Sequence, residues 1–225
     1  MLRTHDLADV VYASGAVFNG LATSRLDTLD FLVTGSTAGV TSKADLALLE
    51  DLRDAAAFVV HHTAAPIDAD YVVAVNARLS RSAALHPGRL RRDTDRVGVS
   101  TRYGRHEPGP LTEAALQDLI DSTVTPDNDH ADNAIALFVA LAATQPFGDG
   151  NKRTALFVAN GYLIHHAAGQ LLTLPVGDED DPLGAGRDDV TRFNDLLARA
   201  YVFGETTGVE TFLRHYVVPL PSVVT

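Results

Sequence analysis

From Lys152 to about Ala168 the chain is apolar almost all the way round a helical wheel. Ala155, Leu156, Phe157, Val158, Ala159, Tyr162, Leu163 and Ile164 leave hardly any polar face. A helix apolar on every side belongs in the middle of a protein, sheathed by other elements. A chain of 225 residues is long enough to build that sheath without staples.

The remaining periodicity says what the sheath is made of. Ser42 opens a helix with Asp45 three residues on, and Leu46, Leu49, Leu52, Ala56, Val59 and Val60 recur at helical spacing. Asp68 starts another helix, Thr112 caps one to about Ser122, and one runs from about Asp129 to Ala143. Residues 190–203 and 209–217 read as closing helices after an acidic loop at 177–189. No stretch alternates over strand length. Residues 87–110 are broken by Pro87, Gly88, Gly98, Gly104, Pro108, Gly109 and Pro110, and only Val97 and Val99 suggest a short extended piece, at most one hairpin over 96–103. The expected fold is all-α. Residues 1–60 form an N-terminal helical extension and 61–225 the core and closing helices, in one compact unit.

Composition excludes several classes of function. The chain has no cysteine, so there is no disulfide scaffold, thiolate zinc site or thiol nucleophile. It has no apolar run of membrane-spanning length, and its first residues lack the apolar core of a signal peptide, which makes the cytoplasm the default expectation. A formal charge of −11 argues against nucleic acid and anionic membranes as partners. Basic residues gather once: Arg89, Arg91, Arg92, Arg96, Arg102 and Arg105 share one irregular stretch with Asp93 and Asp95. That stretch is either a solvated loop or a surface that docks a phosphate-bearing or acidic partner. His61-His62 and His165-His166 are sequence neighbours that diverge on a helix, so neither pair chelates one metal. Asp127-Asn128-Asp129 lacks the glycine of a calcium loop and reads as a helix cap, and Asp178 to Asp181 as solvated surface.

Chemistry concentrates in Gln145-Pro146-Phe147-Gly148-Asp149-Gly150-Asn151-Lys152-Arg153-Thr154, the link between two apolar helices. Gly148 and Gly150 allow backbone amides to turn toward a guest, and Asn151 is a good N-cap for the buried helix. Lys152 and Arg153 then occupy a first helical turn that is already electropositive. Two cations, a helix start and two glycines describe a hole for an anion, and phosphate suits it best. Asp149 offers a hard oxygen ligand for Mg²⁺ bridging to that phosphate. A Walker loop is excluded by spacing and by the absence of a preceding strand. The plain alternative is a glycine-containing turn between helices with incidental charges.

This segment resembles the motif His-Pro-Phe-x-(Asp/Glu)-Gly-Asn-(Gly/Lys)-Arg of the Fic/Doc (Fido) family, matching at Pro146, Phe147, Asp149, Gly150, Asn151, Lys152 and Arg153. Val97, Gly98, Val99 and Ser100 resemble the family's flap, and Ser14 to Gly20, with Phe18 and Asn19, resembles its inhibitory helix motif. The similarity covers roughly residues 10 to 170. It implies a helical Fic fold with a hairpin-like flap that docks a target protein. It also implies a nucleoside triphosphate, ATP first, held with Mg²⁺ by Phe147, Gly148, Gly150, Asn151, Lys152, Arg153 and Thr154, and a phosphate-containing group passed to a hydroxyl. It allows a homodimer. The catalytic set it implies is Gln145, Asp149, Asn151 and Arg153.

Three positions depart from the family's pattern. Gln145 stands where the family has its histidine base, and a carboxamide has no proton to exchange near neutrality. Phe18 stands where the inhibitory glutamate should be. Leu156 takes the place of the second arginine of AMP-transferring members, so the string resembles the form found in Doc, a kinase. Three readings follow: an active nucleotidyl- or phosphoryltransferase, a nucleotide-binding pseudoenzyme with a regulatory role, or an enzyme repurposed for another phosphorylated small molecule.

Overall fold

The computed structural model describes residues 2–82, 86–177 and 185–221. At its centre lies helix α7, Asn151–His165, in which every residue from Arg153 to Leu163 is buried. Four helices pack on it: α1 (Ala8–Asn19), α3 (Lys43–His61), α4 (Ala69–Asn76) and α6 (His130–Thr144). α2 (Arg25–Thr34) lies on α1, and α5 (Glu113–Thr123) on α4 and α6. α8 (Ala185–Phe203) and α9 (Thr206–Leu213) pack on each other and on α6. The buried apolar side chains of all these helices form one core, to which α2 adds Phe31 and α5 adds Leu116 and Ile120. The fold is mostly helical.

The helix starts read from sequence are made as expected. Ser42, Asp68, Thr112 and Asp129 each accept a hydrogen bond from the backbone amide three residues on. Gly161 explains itself by packing: a Cβ there would lie 2.3 Å from the Tyr71 hydroxyl, so its absence lets α4 close onto α7.

Four expectations need correction. The hairpin is β1 (Val99–Thr101) with β2 (Gly104–His106), registered Val99 to His106 and Thr101 to Gly104, so Val97 and Gly98 lead into it and do not pair. A second two-stranded sheet joins β3 (Gln170–Leu172) to β4 (Val217–Pro219). Three residues are too few to show alternation, and the partner strand is 45 or more residues away, so the chain's local pattern holds no sign of it. Asn160, fully buried in α7, clamps β3 by accepting from Leu172 N and donating to Leu172 O, both at 2.9 Å. The last closing helix stops at Leu213, followed by a short 3₁₀ turn and β4. α8 starts at Ala185, inside the stretch read as loop, while Asp178 to Asp181 lie outside the described residues.

Candidate functional site

The link between α6 and α7 turns inside the protein and is held from three directions. Asn151 folds back on the loop, its Oδ1 accepting from Phe147 N at 2.8 Å and its Nδ2 donating to Phe147 O at 2.9 Å. This occupies the side chain expected to cap α7. The N-cap is Gly150 instead, at φ 74°, where a Cβ would also meet Leu79 Cδ1 at 2.7 Å. Asn76, at the end of α4 and fully buried, donates to Asp149 O (3.1 Å) and Thr154 Oγ1 (3.0 Å) and accepts from Gly88 N (2.8 Å).

The third hold is Arg91, 5% exposed. Its guanidinium donates to Gln145 O (2.6 Å), Pro108 O (2.5 Å) and Gly109 O (2.7 Å), and its own amide to Pro146 O (2.9 Å). A cation at the carbonyl end of α6 suits the helix dipole. Burial pushes the guanidinium's pKa down, partly offset by Asp95. One member of the arginine cluster is therefore neither solvated nor docking anything; it is a strut for the loop.

Arg91 secures Gln145, the C-cap of α6, which sits in the left-handed region at φ 47°, ψ 61°. A non-glycine residue there is uncommon and costs roughly 1–2 kcal/mol. Gln145 is 3% exposed, and its Nε2 has no hydrogen-bond partner among the described residues.

The loop, the end of α1, the flap and α8 enclose a cavity of about 240 Å³. Gln145, Gly148, Asp149, Gly150, Asn151, Lys152 and Arg153 line it from the loop side; Phe18 and Asn19 come from α1, and Val97, Gly98 and Val99 from the flap. Phe147 and Thr154 do not: the Phe147 ring is in the core and its backbone bridges Leu90, while Thr154 is tied to Asn76. Ser14 is buried in α1, its hydroxyl unpartnered among the described residues. Ser100 lines a second groove of about 450 Å³ between the flap and α8, which shares Val99, Lys152 and Tyr201 with the first.

The electrostatics are those of a site short of negative charge. Arg153 is 2% exposed, donates to Ser82 Oγ at 2.6 Å and lies 3.6 Å from Asp149 Oδ1. Burial holds its pKa below the ordinary value, with Asp149 and Asp51 pulling the other way. Burial also pushes the Lys152 ammonium down; its Nζ lies 5.0 Å from the centre of the Phe18 ring. Asp51, fully buried on α3, accepts from the amides of Ser80, Arg81 and Ser82 at 2.7–3.1 Å, and so sets the turn that presents Ser82 to Arg153. Among the described residues Asp149 is the one carboxylate on the cavity, its side chain 40% exposed. Among the same residues no three acidic or histidine side chains gather as a metal site. A single carboxylate fits Mg²⁺ only where the ion draws its other ligands from phosphate and water.

Sequence reasoning missed Asn76, Asp51, Ser82 and Tyr201, which lie far from the loop in the chain. Tyr201 on α8 lines both cavities, its ring stacked 5.1 Å from His106 and its buried hydroxyl unpartnered among the described residues. The β1–β2 hairpin is fastened by side chains: His106 Nε2 donates to Ala143 O (2.7 Å), and Tyr103 OH donates to Asp195 (2.8 Å), which also pairs with Arg102 (2.9 Å). No helix among the described residues is long and apolar enough to cross a membrane.

Comparison with known proteins agrees with this architecture. Residues 66–163 match the model of the Fic/DOC family. No curated protein sequence matches the chain. A Fic domain-containing signaling protein from Bacteroides thetaiotaomicron has a similar structure (TM-score 0.69, 15% identity, 95% of this chain and 85% of that one). So does Fic-1 from C. elegans (TM-score 0.67, 20% identity, 96% of this chain), of which this chain spans 61%. The N-terminal Fic domain of a Bartonella quintana effector, solved with bound ADP, aligns at TM-score 0.54 and 16% identity over 79% of this chain and 85% of that one. The chain thus has the fold of solved Fic proteins, and its segment 66–163, with the α6–α7 loop inside it, is similar to the Fic/DOC family.

Proposed function

We propose that the chain binds a nucleoside triphosphate, ATP first, in the cavity over the α6–α7 loop, and that any transfer it performs to a hydroxyl is slow because Gln145 replaces a base. The observation that carries this reading is the excess of buried positive charge on one small cavity. Lys152 and Arg153 are both desolvated at the start of a central helix, the cavity wall offers them one half-exposed carboxylate, Asp149, and the buried Asp51 behind Arg153 is already paired with Arg81. A phosphate chain supplies the missing charge. That a Bartonella quintana relative was solved with ADP is in keeping with it.

The residues around the cavity then divide the work. The free amides at the α7 start would face the phosphate oxygens, the Gly150 amide being held by Asp149 Oδ1, and Arg153 would neutralise them while Ser82 fixes its direction. Asp149 would hold Mg²⁺, which when bound supplies a Lewis acid for the phosphate oxygens. The groove between flap and α8 has room for the nucleoside. Gln145 can donate to a phosphate oxygen and can donate to or accept from a hydroxyl, but it cannot take a proton away. Phe18 covers Lys152 as an apolar neighbour, and the segment Ser14–Asn19 fills space beside the site without an ion pair to Arg153.

Gln145 favours a binding or regulatory role over rapid turnover. Loss of a general base costs about 10²- to 10⁴-fold in rate. Intact-mass spectrometry of the parent and Gln145→His, each incubated with Mg²⁺ and ATP, CTP, GTP or UTP, tests this. The expected result is a nucleotidyl or phosphoryl mass gain in Gln145→His that the parent accumulates far more slowly. Equal labelling of both proteins would show that Gln145 is not the rate-limiting departure.

A further inference from the structure

A third cavity, of about 290 Å³, lies behind the phosphate site and meets it at Gly148 and Val97. Its lining sets Arg89, Arg91 and Arg96, with the His86 imidazole, against one carboxylate, Asp95. Arg91 spends its Nε and Nη2 donors on backbone carbonyls, so most of its charge faces dipoles and not an anion. Arg89 is half-buried; its Nη2 reaches Asp95 only at 3.5 Å, and its buried Nε has no hydrogen-bond partner among the described residues. Asp95 is itself shared, accepting from Arg92 N at 2.9 Å. Arg96 and His86 are exposed at the mouth. Cationic side chains therefore outnumber the acid in a cleft on a chain whose total charge is −11.

We propose that this cleft docks an acidic peptide segment of a partner protein, placing carboxylates beside the hydroxyl that the phosphate site would address. The proposal rests on the reading that a phosphate-bearing ligand fills the neighbouring cavity. Three observations select this occupant. The volume exceeds what one phosphate ion needs and suits one or two acidic side chains. Arg96 and Val97 on its lining lead directly into β1, so a chain laid along that strand would start beside Arg96. A nucleic acid would carry its charges far beyond the cleft onto an acidic surface, which repels it, whereas a short acidic segment ends where the cleft ends. The chain's net charge of −11 also favours selectivity, since an acidic segment is attracted to this basic stretch and repelled by the protein as a whole.

The test uses fluorescein-labelled Glu-Ser-Glu-Ser-Glu and its neutral counterpart Gln-Ser-Gln-Ser-Gln, read by anisotropy in the presence of Mg·ATP. The acidic peptide is expected to bind, the neutral one at least about tenfold more weakly, and added salt to weaken the acidic one. Arg96→Glu, a fully surface change, should weaken the acidic peptide by about tenfold or more, and Arg89→Gln should do the same. Calorimetry with Mg·ATP on the same proteins separates the two readings. Intact ATP binding with peptide binding lost in Arg96→Glu supports the cleft. Absent ATP binding with a charge-selective peptide response refutes the nucleotide reading and leaves the cleft standing. Equal affinity for both peptides, no binding of either, or indifference of the acidic peptide to both substitutions overturns the cleft.

Discussion

Arg91→Met is the sharpest probe of how the loop is held, because it keeps the aliphatic stem and removes only the guanidinium. Hydrogen bonds from charged groups contribute about 1.5–3 kcal/mol each, so the three short ones would sum well above what folding can show. Two corrections reduce the figure. Burying the guanidinium is itself costly, as its depressed pKa records. Pro108 and Gly109 are not fully buried, so their carbonyls can turn to water. What remains is chiefly the Gln145 carbonyl, on a residue 3% exposed, stranded without a donor. An unsatisfied buried group costs about 1–3 kcal/mol. The net loss should therefore be about 2–3 kcal/mol, which for a domain of this size lowers Tm by roughly 4–12 °C. Urea denaturation followed by circular dichroism measures it. Gln145 should also leave its left-handed conformation, since Arg91 is what holds the end of α6, and nucleotide affinity should drop with stability. A change below about 0.5 kcal/mol, within the range of an ordinary surface substitution, would refute the strut.

Other outcomes follow from the same geometry. Asn76→Ala strips three hydrogen bonds from a fully buried side chain and should destabilise by about 2–4 kcal/mol in a denaturant melt, with weaker nucleotide binding because Asp149 and Gly88 lose their tether. Phe18→Ala should lower stability by about 1–2 kcal/mol, Phe18 being half-buried against Phe138, and leave Mg·ATP affinity within a few-fold by calorimetry. Lys152 serves an anion only while protonated, and burial lowers its pKa. Nucleotide affinity should therefore decline with rising pH earlier than an ordinary lysine would dictate, and Lys152→Arg should abolish that decline. The Arg214 guanidinium holds the Asp129 carboxyl down at about 2, from an ordinary 3.8. A depressed carboxylate stabilises above its unfolded pKa and loses that contribution as pH falls toward the folded one. Stability should therefore drop between about pH 4 and 2, by no more than about 1 kcal/mol because the pair is half-exposed, and Asp129→Asn should flatten that limb.

The central helix and the loop before it can be read in the chain because their causes are local. Apolar residues on every face of α7, a glycine turn and two cations at a helix start are neighbours in sequence. The same holds for the helix caps Ser42, Asp68, Thr112 and Asp129, each of which bonds an amide three residues on. What holds the loop is not legible there, because it arrives from elsewhere. Asn76 reaches Asp149 across 73 positions and Arg91 reaches Gln145 across 54, and nothing near either residue marks it as a partner. Arg91 also shows why the arginine-rich stretch divides. Its loop folds under Pro146, so one arginine is buried as a strut while Arg89 and Arg96 line a cleft. Asn151 sits where the sequence puts it, at the start of α7, but does not cap the helix. Its amide matches the Phe147 backbone in both directions, and Gly150 takes over the cap. Tyr201 illustrates the converse limit, an apolar-face residue of an ordinary amphipathic helix that becomes a cavity wall only once α8 meets the flap.

The most direct test of the account is isothermal titration of Mg·ATP into the parent protein and into Arg153→Ala. The account predicts one site in the parent. It predicts a loss of about 1.5–3 kcal/mol of binding free energy, roughly 10- to 150-fold in affinity, on removing the buried Arg153 guanidinium from that cavity. No binding of ATP, GTP, CTP or UTP to the parent, or the same affinity in a folded Arg153→Ala, would contradict it.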